Sequence, residues 1–248
     1  MNFPKITIVT VCYNAQDTIE KTIQSVVAQT YPNIEYIVVD GMSKDKTLDI
    51  VAQYQEHVDK VVCEKDRNNY DAMNKGMRHA TGDYVWFLHA GDVAASPDVL
   101  TKVMEGHQEE DFIYGHVQVL DEEGKERPWH KTIPEAKDLS WQSLRNGMII
   151  CHQAMLVHRR VWVDYDMSYP LVGDLDWTIR LMKKVKTVRY TKTTFCTFLT
   201  GGISAQTRKK SLKERFIILK KHFGLIPTLW EHVRIVFLAM KRGSIGSN

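Results

Sequence analysis

The chain contains no run of 18 consecutive apolar residues, and residues 1–14 lack a basic start followed by an apolar core. The first absence argues against a membrane-spanning helix and the second against an export leader. Cysteine is sparse. Cys12, Cys63, Cys151 and Cys196 lie far apart with no C-x-x-C pair, which argues against a disulfide framework or zinc knuckle and fits reduced thiols in a cytoplasmic protein. Internal repeats and low-complexity linkers are missing too. What remains is ordinary globular composition, 44% hydrophobic and 25% charged over 248 residues, enough to bury a substantial core.

The net charge of +3 hides an asymmetry. From Arg208 onward ten Lys/Arg stand against only Glu214 and Glu231, a balance of +8 that leaves the first 207 residues at −5. Such a separation points to an anionic partner for the C-terminal segment. The economical division is one domain over 1–207 and a basic, amphipathic helical tail over 208–248.

The first half alternates β-branched runs with helical patterns, which predicts an α/β fold with a mostly parallel sheet. Strands are expected at 6–11, 34–39, 58–63 and 84–88, with helices over 17–29, 46–54 and 70–80 between them. The second half predicts a hairpin from Phe112–Leu120 to the segment near Trp129, turning at Asp121-Glu122-Glu123-Gly124. Further on, a helix is expected over 136–145, a short strand at 154–157, a helix over 175–184 and two short strands around Val188 and Phe195.

Ligands of open α/β sheets bind beyond the carboxyl ends of the strands. There the sequence places Thr10-Val11-Cys12-Tyr13-Asn14, Asp40, and His89-Ala90-Gly91-Asp92. One Asp after a strand is commonly a helix cap, but Asp40 and Asp92 are each followed by several loop residues. An acidic turn after an apolar strand suits Mg²⁺ or Mn²⁺, which take carboxylate oxygen and substrate phosphates. His89 is either a further ligand or a neutral ring packed on substrate or backbone.

Four segments, Val9–Ala15, Val39–Thr47, Tyr70–Gly76 and Leu88–Asp92, follow one another in an order and spacing that resembles the family 2 glycosyltransferases, which have a GT-A fold. The resemblance covers residues 5–205. The Tyr70–Asp92 stretch and Cys151-His152-Gln153-Ala154 look most like the branch that builds bacterial O-antigens, capsules and exopolysaccharides. It implies a GT-A domain with a mixed, mostly parallel central sheet flanked by helices. Thr10, Val11 and the Tyr13 ring would hold the nucleotide base, with Asp40 accepting from uracil, so a UDP-sugar is the expected donor. Asp71 and Lys75 would lie by the ribose and diphosphate. Gly91 stands at a nucleotide-contacting position where many members carry an acid, leaving Asp92 as the main protein ligand of Mn²⁺ or Mg²⁺. In Gly173-Asp174-Leu175-Asp176-Trp177, Asp174 matches the catalytic base of the family's Glu-Asp-x-Asp segment, and Gly173 replaces the Glu. Helix-start stabilisation is the alternative for both acids, and Asp176 is also placed to pair with Arg180.

The implied chemistry is metal-dependent, inverting transfer. A cation balances the leaving diphosphate, and a carboxylate on the opposite face of the anomeric carbon takes the proton of the attacking hydroxyl. His152, Gln153 and Trp177 are candidate contacts for a glycan or lipid-linked acceptor, each with core packing as the alternative. Trp129 and Trp141 are offered as further apolar platforms on the same terms. Gly201-Gly202-Ile203-Ser204 is either a closing loop or a plain turn. In the tail, a basic helix is expected over 211–221 and a second over 226–240, whose Ile226, Leu229, Trp230, Val233 and Phe237 share a face. This describes a helix at an anionic membrane surface, or equally one packed on its own domain or a second subunit. Nucleic acid is disfavoured, because no stacking or phosphate-tracking motif accompanies the charge. A silent nucleotide-sugar-binding subunit of an assembly complex is the rival function. A nucleotidyltransferase is weaker still, since no glycine- and Arg/Lys-rich loop follows the first strand.

Overall fold

The structure is a computed structural model and describes residues 3–121, 123–129, 131–199, 207–231 and 233. Strand β1 (Ile6–Cys12) is buried along its whole length because its two faces serve two different cores. Val9 and Val11 point into one and Ile6 and Ile8 into the other, as the period-2 alternation of a central strand requires. Around it, β2 (Ile34–Asp40), β3 (Lys60–Cys63) and β4 (Tyr84–Phe87) pair in parallel in the order β3-β2-β1-β4. All four therefore send their carboxyl ends to one edge.

The sheet continues through β8 (Met155–His158), antiparallel to β4, then β6 (Phe112–Leu120), β9 (Val188–Leu199) and β5 (Val93–Ala94). The short β7 (Glu126–Arg127) completes the expected hairpin with β6, held by Asp121, whose side chain accepts from the Lys125 N–H at 2.8 Å.

Helices α1 (Ile19–Val27), α2 (Thr47–Ala52) and α4 (Val99–Met104) contribute to the core containing Ile6 and Ile8. On the opposite face lie α3 (Asn69–His79), α5 (Gly173–Met182) and α6 (Arg208–Phe223). The α3 start is capped by Asn68, whose side chain accepts from the Asp71 N–H at 3.1 Å. Gly76 lets α3 lie directly on β1, since a Cβ there would sit 2.4 Å from Val9 Cγ1.

Two expectations for the second half are corrected. The helix expected over 136–145 is two 3-10 turns, Ala136–Asp138 and Trp141–Asn146. Leu139 is extended between them, and Ser140 opens the second turn with reciprocal bonds to Ser143. The two strands around Val188 and Phe195 are one long strand. Its register against β6 shifts near His116, and Lys192 adopts a left-handed conformation with φ 56°, so a bulge interrupts the alternation without ending the strand.

The first helix of the expected tail shares the core of the sheet domain. Ile218 and Leu219 of α6 are buried beside α5, and Phe223 stacks on Trp141 with ring centroids 5.3 Å apart. A second helical stretch covers 225–231. The remainder of the expected 226–240 helix and the Gly201–Ser204 loop lie outside the described residues, apart from Val233. No helix among the described residues is long and apolar enough to cross a membrane.

Candidate functional site

At the carboxyl edge of the parallel strands, Asp40 ends β2 and is fully buried. Its oxygens accept from the Ser43 N–H at 2.8 Å and the Ser43 hydroxyl at 2.5 Å, and both Cys12 and Cys63 donate thiols to it at 3.6 Å. Tyr13, one residue beyond β1, is 61% exposed and lies against Gly41. Thr10 is buried, with its hydroxyl accepting from Tyr36 OH at 3.1 Å, and the Val11 carbonyl accepts from Ala90 N–H at 3.2 Å.

Asp71 and Lys75 lie one turn apart on α3. Arg67 grips Asp71, with Nη2 donating to Oδ1 at 2.9 Å, and these bonds hold the Asp71 carboxyl below its ordinary range. Lys75 pairs with Asp66 at 2.8 Å and donates to the Lys65 carbonyl at 2.8 Å. Asp66 also lies beside Gly41, so Tyr13, Asp40, Asp66, Asp71 and Lys75 line one polar margin.

The Asp92 turn is drier. Burial pushes the Asp92 carboxyl up to about 7, against the lowering effect of Gln153, whose Nε2 donates to Oδ2 at 3.1 Å. Gly91, at φ 105°, donates its N–H to the Thr22 hydroxyl at 3.0 Å. His89 Nδ1 is buried without a partner among the described residues. Burial lowers His89 to about 4, and burial together with His89 lowers His152 to about 3. Both rings are therefore neutral at pH 7, and they stack with centroids 6.0 Å apart.

From His152 a packed aromatic series leads to Asp174. His152 Nε2 bonds the Tyr165 hydroxyl, Tyr165 stacks on Tyr70 at 5.1 Å, and Tyr70 OH donates to Asp174 Oδ1 at 3.3 Å. Asn74 of α3 fixes the Tyr165 backbone, accepting from its N–H at 2.8 Å and donating to its carbonyl at 3.1 Å. Asp174 is partly exposed in the first turn of α5, where burial of its surroundings pushes the carboxyl up to about 6. In the loop just before it, Leu171 and Val172 donate their N–H groups to Glu214 of α6 at 2.9 and 2.7 Å.

The structure thus joins Asp92, His89, His152, Gln153 and Asp174 in one continuous cluster. It separates Asp176 from them. That carboxylate is fully buried and bonds Arg180 at 2.6 Å, His222 at 2.8 Å and Lys221 at 3.2 Å. These partners outweigh burial and hold it far below the usual range. Trp177 is 1% exposed, stacked on Tyr165 at 4.8 Å with its N–H donating to Val163. No ring face remains for a sugar, which corrects its expected acceptor role in favour of core packing. Gln153, a candidate acceptor contact, is engaged with Asp92. A surface cavity lined by Ala136, Trp141, Met182 and Val188 includes Trp141, one of the apolar platforms offered for the acceptor, and none of the other candidate site residues. Tyr70, Asn74, Tyr165 and Glu214 were not foreseen as site residues. Tyr70 and Asn74 lie in a motif the sequence displays, whereas no local signal marks Tyr165 or Glu214.

Among the described residues no group of three His, Cys, Asp or Glu could hold a metal alone. Asp92 can still supply one position of a shell otherwise made by substrate phosphates and water, the usual arrangement for Mg²⁺, because Gln153 engages only its Oδ2.

The mixed sheet, parallel through β3-β2-β1-β4 and antiparallel beyond, has counterparts among solved structures. TarS 1-349 of S. aureus in complex with UDP-GlcNAc superposes with a TM-score of 0.69 at 14% identity, covering 88% of this chain and 67% of that one. The mannosyltransferase PcManGT of Pyrobaculum calidifontis, in complex with GDP-Man and Mn²⁺, gives 0.66 at 18% identity over 92% and 67%. At these identities the likeness shows the fold, which is GT-A. Residues 7–165 match the family model of glycosyl transferase family 2, and the chain belongs to that family. The putative teichuronic acid biosynthesis glycosyltransferase TuaG of Bacillus subtilis is 33% identical over 159 residues, 62% of each chain. An uncharacterized glycosyltransferase of Mycobacterium tuberculosis is 38% identical over 103 residues, 41% of this chain and only 39% of its own length.

Proposed function

We propose that the protein is an inverting glycosyltransferase of bacterial surface polysaccharide synthesis, of the O-antigen or capsule type. It moves a hexosyl or N-acetylhexosaminyl group from a UDP-sugar to a lipid-linked oligosaccharide at the cytoplasmic face of the membrane. The observation that carries this reading is the pair of carboxylates, Asp92 and Asp174, both raised by burial and joined through His152, Tyr165 and Tyr70.

In this reading the exposed Tyr13 ring stacks on the base, and Asp40 exchanges Ser43 for the uracil N3–H. Asp71 and Lys75 border the ribose and diphosphate. Asp92 would hold a Mn²⁺ or Mg²⁺ ion, which balances the charge of the departing diphosphate. The acceptor oxygen forms a bond to the anomeric carbon as the bond to the diphosphate oxygen breaks, and its proton passes to Asp174. Tyr70 OH aims the carboxylate and Glu214 fixes the loop before it. A carboxyl of raised proton affinity is a better base, provided it is ionised at the working pH. The neutral His89 and His152 place no cation between donor and acceptor.

The decisive experiment pairs two variants. Asp174→Asn should retain UDP affinity and lose turnover by about 10²–10⁴-fold, and near-normal rates would remove it as the base. Asp92→Ala should abolish metal-dependent UDP binding measured by calorimetry, and unchanged affinity would remove it as the ligand. Donor binding with no transfer or hydrolysis in the wild type, across a panel of nucleotide sugars and acceptors, would favour a silent binding subunit.

A further inference from the structure

Lys131 and Arg215, apart from the carboxylates, converge on a single acceptor. Lys131 Nζ donates to the Asn146 carbonyl at 2.6 Å, and Arg215 Nη2 donates to the same oxygen at 2.8 Å. Both side chains are half-buried. Arg215 Nε and Asn146 Oδ1 are buried without a partner among the described residues. Gly147, at φ 85°, leaves room for the guanidinium, since a Cβ there would lie 3.0 Å from Arg215 Cζ. Among the described residues neither cation forms an ion pair, and Glu122 is the one Asp or Glu outside them.

The carbonyl closes the 3-10 turn Trp141–Asn146, and a cation at such a C-terminus is common. One cation satisfies that role. A second, drawn out of water beside the first, adds repulsion and desolvation with no compensating charge. Lys131 registers this: burial first, then the Arg215 charge, lowers its ammonium to about 8.

We infer that Lys131 and Arg215 form a binding site for a phosphate or diphosphate group carried by a substrate. An oxyanion is the ligand that a guanidinium fork and an ammonium point charge jointly select. Arg215 follows Glu214, which holds the loop before Asp174, so the site belongs to the α6 side of the cluster. Two sources share this chemistry, the donor's diphosphate and the phosphate of a phosphate-linked acceptor. Only the choice between them rests on the glycosyltransferase reading.

The test titrates inorganic pyrophosphate into the full chain in EDTA, which removes any metal at Asp92. Lys131→Gln and Arg215→Gln should each weaken binding by about tenfold or more, the loss of one charge-assisted bond, while Lys131→Arg should retain most of it. Unfolding midpoints of the variants establish that the fold is kept. A wild type that binds no pyrophosphate, or equal affinity in wild type and both Gln variants, overturns the site and leaves helix capping as the role of the pair. UDP titrated with Mn²⁺ then separates the sources. Unchanged UDP affinity in Lys131→Gln assigns the site to an acceptor phosphate, and a parallel loss assigns it to the donor. Pyrophosphate binding in a protein that transfers no sugar would keep the site and remove the transferase reading.

Discussion

Asp174 is tuned from several sides at once. Tyr70 of α3 donates to it, Glu214 of α6 faces it with like charge, and Tyr165 and Cys151 are near enough to feel its charge. Burial dominates and raises the carboxyl to about 6, while the Glu214 charge adds to the rise. A base works only when deprotonated, so kcat/KM should fall on the acid side of pH 6, tenfold per unit. Glu214→Gln keeps an oxygen for the Leu171 and Val172 N–H groups and removes the charge. Its acid limb should move to lower pH, and an unmoved limb would reduce Glu214 to a purely structural tie. Glu35 shows the opposite sign. Burial favours its neutral form, but bonds from Thr7, Thr81 and Lys5 overcome this and hold it at about 2. Its folded value lies below the unfolded one, so it stabilises the fold above pH 4.5 and ceases to do so as pH falls toward 2. Glu35→Gln should therefore cost on the order of 3 kcal/mol at pH 7 and little at pH 2, read from urea unfolding at the two pH values.

Helix α6 is where element and site meet. It buries Ile218 and Leu219, supplies Glu214 to the Asp174 loop, and closes the Asp176 cluster through Lys221 and His222. Removing the His222 partner leaves part of a buried carboxylate unpaired, so His222→Ala should cost about 1–3 kcal/mol in urea unfolding. Truncation before Arg208 should cost more and also abolish transfer, because the loop carrying Asp174 loses its anchor. A truncated chain with full stability and activity would show α6 to be dispensable. The same helix marks the boundary of what sequence reading could reach. Strands β1, β2 and β4 were legible because they are buried on both faces and read as β-branched or aromatic runs, and the acids at or after the ends of β2 and β4 announced the polar edge. The edge strand β3 is mostly exposed and showed only its Val61-Val62 pair. Asp174 and Asp176 were visible as a pair, and the Asp176–Arg180 contact followed from helical spacing. The bulge at Lys192 was not legible, since it arises in pairing with β6, distant in sequence, whereas the break at Leu139 has a local signal in the Ser140–Ser143 capping pair. Tyr165 and Glu214 were not legible either, since their roles come from contacts 13 and 91 positions away for Tyr165 and 42 or 43 for Glu214.

Over the whole molecule, apolar and basic groups collect on the C-terminal surface. Ile226 is 81% exposed, Trp230 71% and Val233 64%, while Thr228 and Glu231 of the same stretch are buried, Glu231 paired with Arg145 at 3.4 Å. On α6, Leu212 and Ile217 are exposed alongside Lys209, Lys210, Lys213 and Lys220. A wide apolar patch within a protein surface marks an interaction site. Trp beside Lys is the pairing suited to the boundary between headgroups and acyl chains. Each such cation contributes about 1 kcal/mol near an anionic surface, and the attraction fades within a Debye length of roughly 10 Å at 0.1 M salt. The full chain should therefore co-sediment with vesicles containing phosphatidylglycerol and not with pure phosphatidylcholine, and it should be released as salt rises. Trp230→Ser should weaken binding with the salt dependence retained, since it removes apolar burial and leaves the charges. If the patch instead joins two copies of the chain, vesicles of either composition will leave the protein in solution, light scattering will report a dimer, and Trp230→Ser will yield a monomer. The two outcomes cannot be confused, because only the membrane reading ties attachment to the charge of the lipid.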